Sequence, residues 1–259
     1  MIGIETYAYC NRWRNIHPRD KMMFALATML LCLFSHWVIP PLIILLTMGV
    51  LTTARAKVPG RFYLKLFLIL AGSIVIGAIA VGFTVSPTRF NSLWEVKIAS
   101  YHLGFTQAGL NYAVLLLLRS LGATSCLLFL ALTTPLEDIT HQLERWKVPY
   151  IMIEMMTLIY RFIFVFWEQA VTIHTAQAAR LGHVDIKTSL RSLGYLISSL
   201  FINVMDRAQV LYWALIARGY TDSLRVLEEE YEPAPLPLKI GLICFDVLIL
   251  GLIMYKRGV

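Results

Sequence analysis

Long apolar runs separated by short polar segments dominate the pattern of hydrophobic and polar positions along this chain of 259 residues. A helix that crosses a bilayer needs roughly 20 apolar residues, because its backbone must satisfy its own hydrogen bonds across about 30 Å of hydrocarbon. The second run is short and would need residues from its flanks. We predict membrane-spanning helices at residues 22–39, 41–54, 64–85, 107–133 and 238–255.

The region 149–220 has enough apolar residues for two more spans, but charged positions recur within it. In its first half, three charged residues stand seven positions apart, a spacing that puts them on one face of a helix. Such a face must meet protein or water, since charges at the centre of a lipid-exposed helix are costly. We therefore predict two long amphipathic helices. Their polar face includes Glu154, Arg161, Glu168, Asp206 and Arg207.

Basic residues in the loops predict which helix ends face the cytoplasm. The amino-terminal segment and the loop 55–65 are rich in Lys and Arg, so both are expected inside, whereas residues 35–41 and 86–106 form outer loops. An up-and-down pair of amphipathic helices would put the basic segment 176–191 outside. We therefore expect both of these helices to begin and end on the cytoplasmic side, lying oblique or flat at the interface.

A short amphipathic helix is expected directly after the fourth span. Thr134 and Pro135 precede two acidic residues there. Thr can cap a helix amino terminus, and Pro fits the first turn. This pattern predicts a helix start at that point.

Composition and charge support a membrane protein. Hydrophobic residues make up 58% of the chain and charged residues 15%, with a mean hydropathy of +0.67, which is more apolar surface than one soluble core of this size would bury. The net charge of +7 fits positive-inside loops better than a nucleic-acid surface, because basic patches interleaved with exposed aromatic residues are missing. We predict a multi-pass protein of the cytoplasmic (inner) membrane, with no nucleic-acid partner.

Candidate metal and catalytic groups are dispersed. The four cysteines form no CxxC, and the histidines show no HxxxH spacing, so we expect no metal site, no bound cofactor and no catalytic residue in this chain. The histidines are His17, His36, His102, His141, His174 and His183. A phosphate-binding GxxxxGK[ST] loop is also missing, which argues against nucleotide binding.

Two alternative functions stay open at this point. A membrane enzyme could use Glu154, Asp206 or His174 as an acid or base, but nothing pairs them with a nucleophile. A self-sufficient channel or carrier could line its path with charges inside a helix bundle. Broken helices in two matching halves would favour the carrier, and the sequence shows no such repeat.

Two helices are expected to end in an arginine. Residues 176–182 read AQAARLG and residues 214–220 read ALIARGY. A glycine after such an arginine has an ordinary structural explanation, because glycine ends helices and cations complement the helix dipole. That explanation does not account for the duplication. Small alanines beside an exposed guanidinium would let a helix end enter a groove of another protein.

The chain resembles the transmembrane T component of energy-coupling-factor (ECF) transporters, and most closely the cobalt type known as CbiQ. The resemblance runs over nearly the whole length, in the order and spacing of four segments. These are YCNRWRNIHPRDK, LALTTPLEDITHQLERWKVP, LIYRFIFVFWEQAVTIHTAQAARLG and DRAQVLYWALIARGY.

The resemblance implies a scaffold that joins a substrate-binding membrane subunit to two ABC-type ATPase subunits, with each Arg triplet docking into one ATPase. The triplets here are Ala179, Arg180 and Leu181, and Ala217, Arg218 and Gly219. Leu181 departs from the commoner Ala-Arg-Gly pattern. ATP and Mg²⁺ would bind the ATPases, and the cobalt or nickel ion would bind the substrate-binding subunit.

The expected fold is that of an all-α integral membrane protein with about five transmembrane helices plus amphipathic cytoplasmic coupling helices. We divide the chain into three parts. An N-terminal membrane domain with four spans covers 1–134, the coupling helices cover 135–229, and a linker with the last transmembrane helix covers 230–259.

Overall fold

The structure is a computed structural model. It describes residues 3–14, 16–86, 92–98, 101–220 and 235–257. Helices dominate this part of the chain, as expected for an all-α membrane protein. In order they are α1 (Gly3–Cys10), α2 (Pro18–Phe34), α3 (Ile39–Val50), α4 (Gly60–Gly82), α5 (Gln107–Thr133), α6 (Leu136–Arg145), α7 (Tyr150–Ala179), α8 (Ile186–Ala217) and α9 (Leu236–Arg257).

The first predicted span differs from the helix observed there. The chain was expected to stay helical through residue 39, but α2 ends at Phe34 because Ser35 adopts an extended backbone, with φ −68° and ψ 127°. The Ser35 hydroxyl then donates to the carbonyl of Trp37 (2.9 Å), which stabilises a turn. Helix α3 begins with a proline in its first turn, a position at which the missing N–H costs nothing.

The second predicted span takes residues from its flanks, as expected, and the residues at its carboxyl end form a π-helix. Helix α3 continues directly into a π-helix at Leu51–Arg55, where the N–H of Ala56 donates to the carbonyl of Leu51 (3.0 Å). The combined apolar helix runs over Ile39–Arg55. Nothing in the sequence distinguishes a π-helix from an α-helix at this position.

The segment expected to be an outer loop contains a small antiparallel sheet. Its strands are β1 (Phe83–Ser86), β2 (Ser92–Ile98) and β3 (Tyr101–Thr106). β3 lies between the other two. Its backbone pairs with β1 from Phe83 opposite Phe105, and with β2 up to Ile98 opposite Tyr101. Backbone pairing gives regular structure to a segment that the apolar pattern leaves undefined, and the position of this segment on the outer side stays a prediction.

Five helices in the described part of the chain are long and apolar enough to cross a membrane. They are Gly60–Gly82, Gly109–Thr133, Tyr150–Ala179, Ile186–Ala217 and Leu236–Tyr255. Three of them coincide with predicted spans. The other two are the long helices α7 and α8, for which an orientation at the interface stays a prediction.

The chain divides into two compact units, each of which is described by itself. One unit contains α1–α5 and α9. Its core is aromatic, since Phe129 meets Trp13 edge-on (centroids 5.6 Å apart) and Phe24 at 6.1 Å. Phe24 also contacts Phe245 of α9 at 6.2 Å, and Lys239 of α9 forms an ion pair with Asp20 (2.8 Å). The last helix thus packs against the N-terminal helices.

A buried lysine and an asparagine hold the carboxyl end of α5. Lys21 is 1% exposed, and its Nζ donates to the carbonyls of Trp13 and Thr133 (3.1 Å each). Asn11 donates to the carbonyls of Leu132 and Thr133 (3.3 Å each). These donors satisfy carbonyls that the end of a helix leaves unpaired, and a cation there complements the helix dipole. The amino-terminal segment is therefore part of the core.

The second unit contains α6, α7 and α8. Helix α6 confirms the predicted short helix after the fourth span, but its expected cap is wrong. The Thr134 hydroxyl is buried and makes no hydrogen bond within the described residues, so it caps nothing. The carboxyl end of α6 is closed instead by Val148, whose N–H donates to Leu143 (3.2 Å), with Lys147 left-handed at φ +61°.

Candidate functional site: two arginine-capped helix ends

Helix α7 ends in a hydrogen-bonded turn with Arg180 at its C-cap. The N–H of Leu181 donates to the carbonyl of Ala178 (3.1 Å), and the N–H of Gly182 donates to that of Gln177 (2.8 Å). Leu181 itself is left-handed, with φ +60°. This arrangement is a Schellman motif, which satisfies carbonyls at a helix end.

Helix α8 ends in the same way, with Arg218 at its C-cap. The N–H of Gly219 donates to Ile216 (2.9 Å), and the N–H of Tyr220 donates to Leu215 (3.0 Å). Gly219 is the left-handed residue here, with φ +78°. The duplication in the sequence therefore corresponds to a duplicated backbone geometry.

The two ends present their arginines to solvent. We call residues 179–182 the first Arg end and residues 217–220 the second Arg end. Exposed alanines precede both arginines. In the part of the chain that the structure describes, neither guanidinium makes a hydrogen bond or an ion pair. Both planar donor groups are thus available for acceptors on another molecule.

Leu181 takes the backbone position that Gly219 takes at the second Arg end. The Schellman motif requires one left-handed residue, and Leu181 supplies it. The departure from Ala-Arg-Gly therefore leaves the turn intact. A left-handed leucine costs roughly 1–2 kcal/mol, because its Cβ crowds the following carbonyl. The first Arg end therefore carries strain that the second does not.

Contacts inside the turn between α7 and α8 support the first Arg end. The Gln177 amide donates to the carbonyl of Ser192 (2.9 Å), and the Ser192 hydroxyl donates to that of Gly182 (2.8 Å). A Cβ on Gly182 would lie 2.8 Å from both the Gln177 carbonyl and the Ser192 hydroxyl. Glycine is required here for close approach, whereas the left-handed conformation belongs to Leu181.

Helices α7 and α8 are antiparallel, and polar contacts join them at further levels. When the Gln169 amide is oriented with its oxygen toward α8, it accepts from Arg207 Nε (3.2 Å) and Nη2 (3.0 Å). The Tyr220 hydroxyl donates to Glu154 Oε1 (2.6 Å). The second Arg end is thereby tied to the beginning of α7. Because α8 has 32 residues, the two Arg ends lie roughly 45 Å apart.

The predicted polar face contains two groups with partners and three without. Glu154 is half-buried and binds Tyr220, and Arg207 faces Gln169. The remaining three side chains are exposed and have no ion pair among the described residues. They are Arg161, Glu168 and Asp206.

Two histidines that are distant in the sequence meet near the first Arg end. The rings of His174 and His183 stack with centroids 4.5 Å apart, and His183 Nδ1 lies 3.3 Å from the Ser189 hydroxyl. The described residues contain no group of three or more His, Cys, Asp or Glu side chains placed to hold a metal ion. His102 lies outside the residues whose side chains are described.

Comparison with known proteins identifies the family. A family model named CbiQ and described as cobalt transport protein matches residues 11–228. The chain belongs to this family. It is 35% identical to the cobalt transport protein CbiQ of Rhodobacter capsulatus over 94% of this chain and 93% of that protein.

Two further relatives extend the comparison. A putative fused cobalt transport protein CbiMQ of Methanocorpusculum labreanum is 30% identical over 95% of this chain, which covers 43% of that larger protein. The energy-coupling factor transporter transmembrane protein EcfT of Streptococcus equi is 27% identical over 93% of this chain and 90% of that protein. The resemblance to ECF T components is confirmed. This CbiQ-family chain is a multi-pass membrane component of ECF-type cobalt transport.

Proposed function

We propose that this chain is the coupling subunit of an ATP-driven ECF-type importer of cobalt or nickel ions. Its two Arg ends would dock into one groove each on two ABC-type ATPase subunits. The chain would transmit their motion to a substrate-binding membrane subunit. It would catalyse nothing itself.

The observation that supports this proposal most is the duplicated Schellman turn with an exposed arginine at its C-cap. In each copy the guanidinium projects from a helix end beside a small alanine. A planar guanidinium donates in a fork that matches carboxylates and can reach carbonyls at the bottom of a groove. Two such groups about 45 Å apart suit two separate partners better than one small site.

The α7–α8 unit offers a way to carry force between the two ends. Glu154 on α7 binds Tyr220, directly after Arg218 and Gly219, while Gln177 and Ser192 hold the opposite end. In the proposed cycle, ATP binding closes the two ATPases and tilts the attached helices. The substrate-binding subunit would then open and release its ion inward.

The proposal assigns the small ligands to other chains. ATP and Mg²⁺ would bind the ATPases, and the transported metal ion would bind the substrate-binding subunit. The fused relative supports a membrane partner of this kind, because its name joins a second cobalt transport component to CbiQ. The lipid bilayer surrounds the apolar helices.

A self-sufficient channel or carrier is the alternative, and the family disfavours it. The exposed charges Arg161, Glu168 and Asp206 would have to line a path within a bundle. Membership in a family of transporter components, with a relative named as an energy-coupling-factor protein, favours the coupling subunit instead.

Sidedness of the Arg ends tests the proposal, because both must face the ATPases. The exposed Cys10 and Cys244 are first changed to Ser. Cysteines are then introduced beside the two Arg ends by Val184→Cys and Ala217→Cys. Both should react with an impermeant maleimide only in inside-out vesicles. The control His36→Cys, in a predicted outer loop, should react only in right-side-out vesicles. Labelling of either Arg end from outside would exclude docking of both ends to cytoplasmic ATPases.

A further inference from the structure

A cavity of about 650 Å³ lies between α3 and α9, within the compact unit that contains both helices. This volume is in the range of roughly 300–1,000 Å³ that is typical of small-molecule sites. Two core residues, Trp13 and Phe24, line the cavity and are only 4% exposed each. The α3–α9 cavity therefore reaches into the core of the unit instead of lying on a flat helix face.

The walls of the α3–α9 cavity have the length of one lipid leaflet. On the α3 side they run from Leu46 to Arg55 at the end of the π-helix, which is about 14 Å along the helix axis. On the α9 side they run from Pro235 to Phe245, about 15 Å. The hydrocarbon core of a bilayer is about 30 Å thick, so one leaflet supplies about half of that depth. The acyl chain of a single leaflet therefore matches the cavity in length.

The lining of the α3–α9 cavity combines apolar walls with a cation at one end. Arg55 is the one charged residue among the described residues that line it. Its side chain is exposed, and within the described chain its guanidinium makes no hydrogen bond or ion pair. Thr47 uses its hydroxyl proton within its own helix, donating to the carbonyl of Ile43 (2.8 Å). A matching ligand is amphiphilic, with an apolar chain and an anionic group at one end.

Arg55 lies at the membrane level where lipid phosphates are found. It begins the basic loop 55–65, which is predicted to face the cytoplasm. A guanidinium donates two parallel hydrogen bonds to phosphate oxygens, and basic pockets between transmembrane helices on the cytoplasmic side bind lipid headgroups. The apolar walls then extend from Arg55 toward the centre of the bilayer.

We propose that the α3–α9 cavity binds a phospholipid of the cytoplasmic leaflet, with one acyl chain between the two helices and the phosphate on Arg55. This site goes beyond the coupling role and does not depend on it. A partner's transmembrane helix is about 10–12 Å wide with its side chains and crosses both leaflets, so it could cover the cavity but not enter it. An acyl chain fills the cavity and supplies the dispersion contacts that an empty space would lack.

Other charges near the cavity bear on the headgroup. Lys57 follows Arg55 and is exposed, whereas Lys239, next to the wall residue Leu238, is neutralised by Asp20 (2.8 Å). Glutamates at 228–230 and 232 precede Pro235 in the sequence and lie outside the described residues. A zwitterionic headgroup, which carries an ammonium beside its phosphate, is compatible with both signs. Arg55 therefore needs a phosphate but not a net anionic lipid.

Quenching of Trp13 by a brominated phospholipid tests the site, because Trp13 lines the cavity. The full-length chain, with its other tryptophans changed to Phe, is titrated in detergent with phosphatidylethanolamine that carries dibrominated acyl chains. We expect saturable quenching. Arg55→Gln should raise the half-maximal lipid concentration about tenfold, because one charge-assisted contact is lost. A brominated diacylglycerol, which has no phosphate, should show a similar shift with the parent chain.

Arg61→Gln is the matched control for the phosphate contact. It removes the same charge at an exposed position of α4 that does not line the cavity, so quenching should follow the parent curve. Equal curves for Arg55→Gln and Arg61→Gln would overturn the proposed phosphate site.

A larger side chain at Gly241 tests the cavity itself. A Cβ added to Gly241, which lines the cavity, or to Gly251, which does not, meets nothing within 4 Å. Gly241→Phe should therefore fill the cavity and abolish saturable quenching, whereas Gly251→Phe should leave it unchanged. Both changes replace a helical glycine with a better helix former, so α9 should still form.

Two results would contradict the lipid as occupant. Saturable quenching in Gly241→Phe equal to that of the parent would place the bound lipid outside the cavity. Quenching that is present in the purified chain but lost in the assembled transporter would show that a partner subunit covers the cavity in place of a lipid. Neither result depends on whether the Arg ends dock into ATPases.

Discussion

A chain carrying both Arg180→Glu and Arg218→Glu is expected to show no ATP-driven cobalt uptake and to lose its ATPase subunits on purification. Each substitution replaces a guanidinium, which donates hydrogen bonds, with a carboxylate, which accepts them. The proposed groove would present acceptors, so the carboxylate would be repelled there. Breaking a buried, hydrogen-bonded charge contact costs about 2–5 kcal/mol, so two reversals together remove most of the docking free energy. Both side chains are exposed in the free chain, so folding should be unaffected.

Uptake of radioactive cobalt by whole cells and the yield of copurified ATPase measure this effect. Arg61→Glu is the matched control, because it reverses the same charge at an exposed position of α4, in the compact unit that contains neither Arg end. Each single reversal should retain part of the ATPase. Normal uptake in the double variant, at normal membrane levels, would contradict the docking role.

Replacing the buried Lys21 with Met is expected to destabilise the compact unit that contains α1–α5 and α9 by about 3 kcal/mol. Methionine preserves the volume but donates nothing, so the carbonyls of Trp13 and Thr133 lose the Nζ that now lies 3.1 Å from each. The end of α5 also loses a cation that complements its dipole.

A thiol-reactive dye follows this unfolding in detergent, because Cys32 and Cys126 are buried and react only when the helices separate. The exposed cysteines are first changed to Ser. Lys65→Met, at an exposed position of α4, should shift stability by less than about 0.5 kcal/mol. An equal midpoint for Lys21→Met and its parent would show that Lys21 does not hold α5.

The sequence predicted the long helices well, because their apolar runs are long and a periodic pattern is a local property. The fourth span was predicted at 107–133 and is observed as Gln107–Thr133. The first span was predicted at 22–39 and is observed as Pro18–Phe34, so the prediction began and ended several residues too late. A hydrogen bond of Ser35 and the prolines that open α3 decide that boundary, and neither changes the apolar pattern.

The role of Lys21 could not be read from the sequence, since it depends on contacts between distant segments. Lys21 follows other basic residues just ahead of an apolar run, which indicated only that this end faces the cytoplasm. Its partner Thr133 lies 112 residues away along the chain. The contact forms only when α2 packs against α5.

The Arg ends were visible as a repeated motif, but their supporting contacts were not. The alanine and arginine positions indicated two similar helix ends, and Leu181 stood out as an exception. Tyr220 was the last letter of the second motif, yet nothing marked it as a partner of Glu154, 66 residues away. The antiparallel packing of α7 and α8 creates that contact.

Photocrosslinking in native membranes tests the central claim most directly. A benzoylphenylalanine at Ala179 or at Ala217 stands beside an arginine without replacing it. With the whole transporter coexpressed, mass spectrometry of the crosslinked peptides should identify a nucleotide-binding ATPase subunit at both positions. Crosslinks at either position only to lipid, or only to a membrane-embedded partner, would contradict the account.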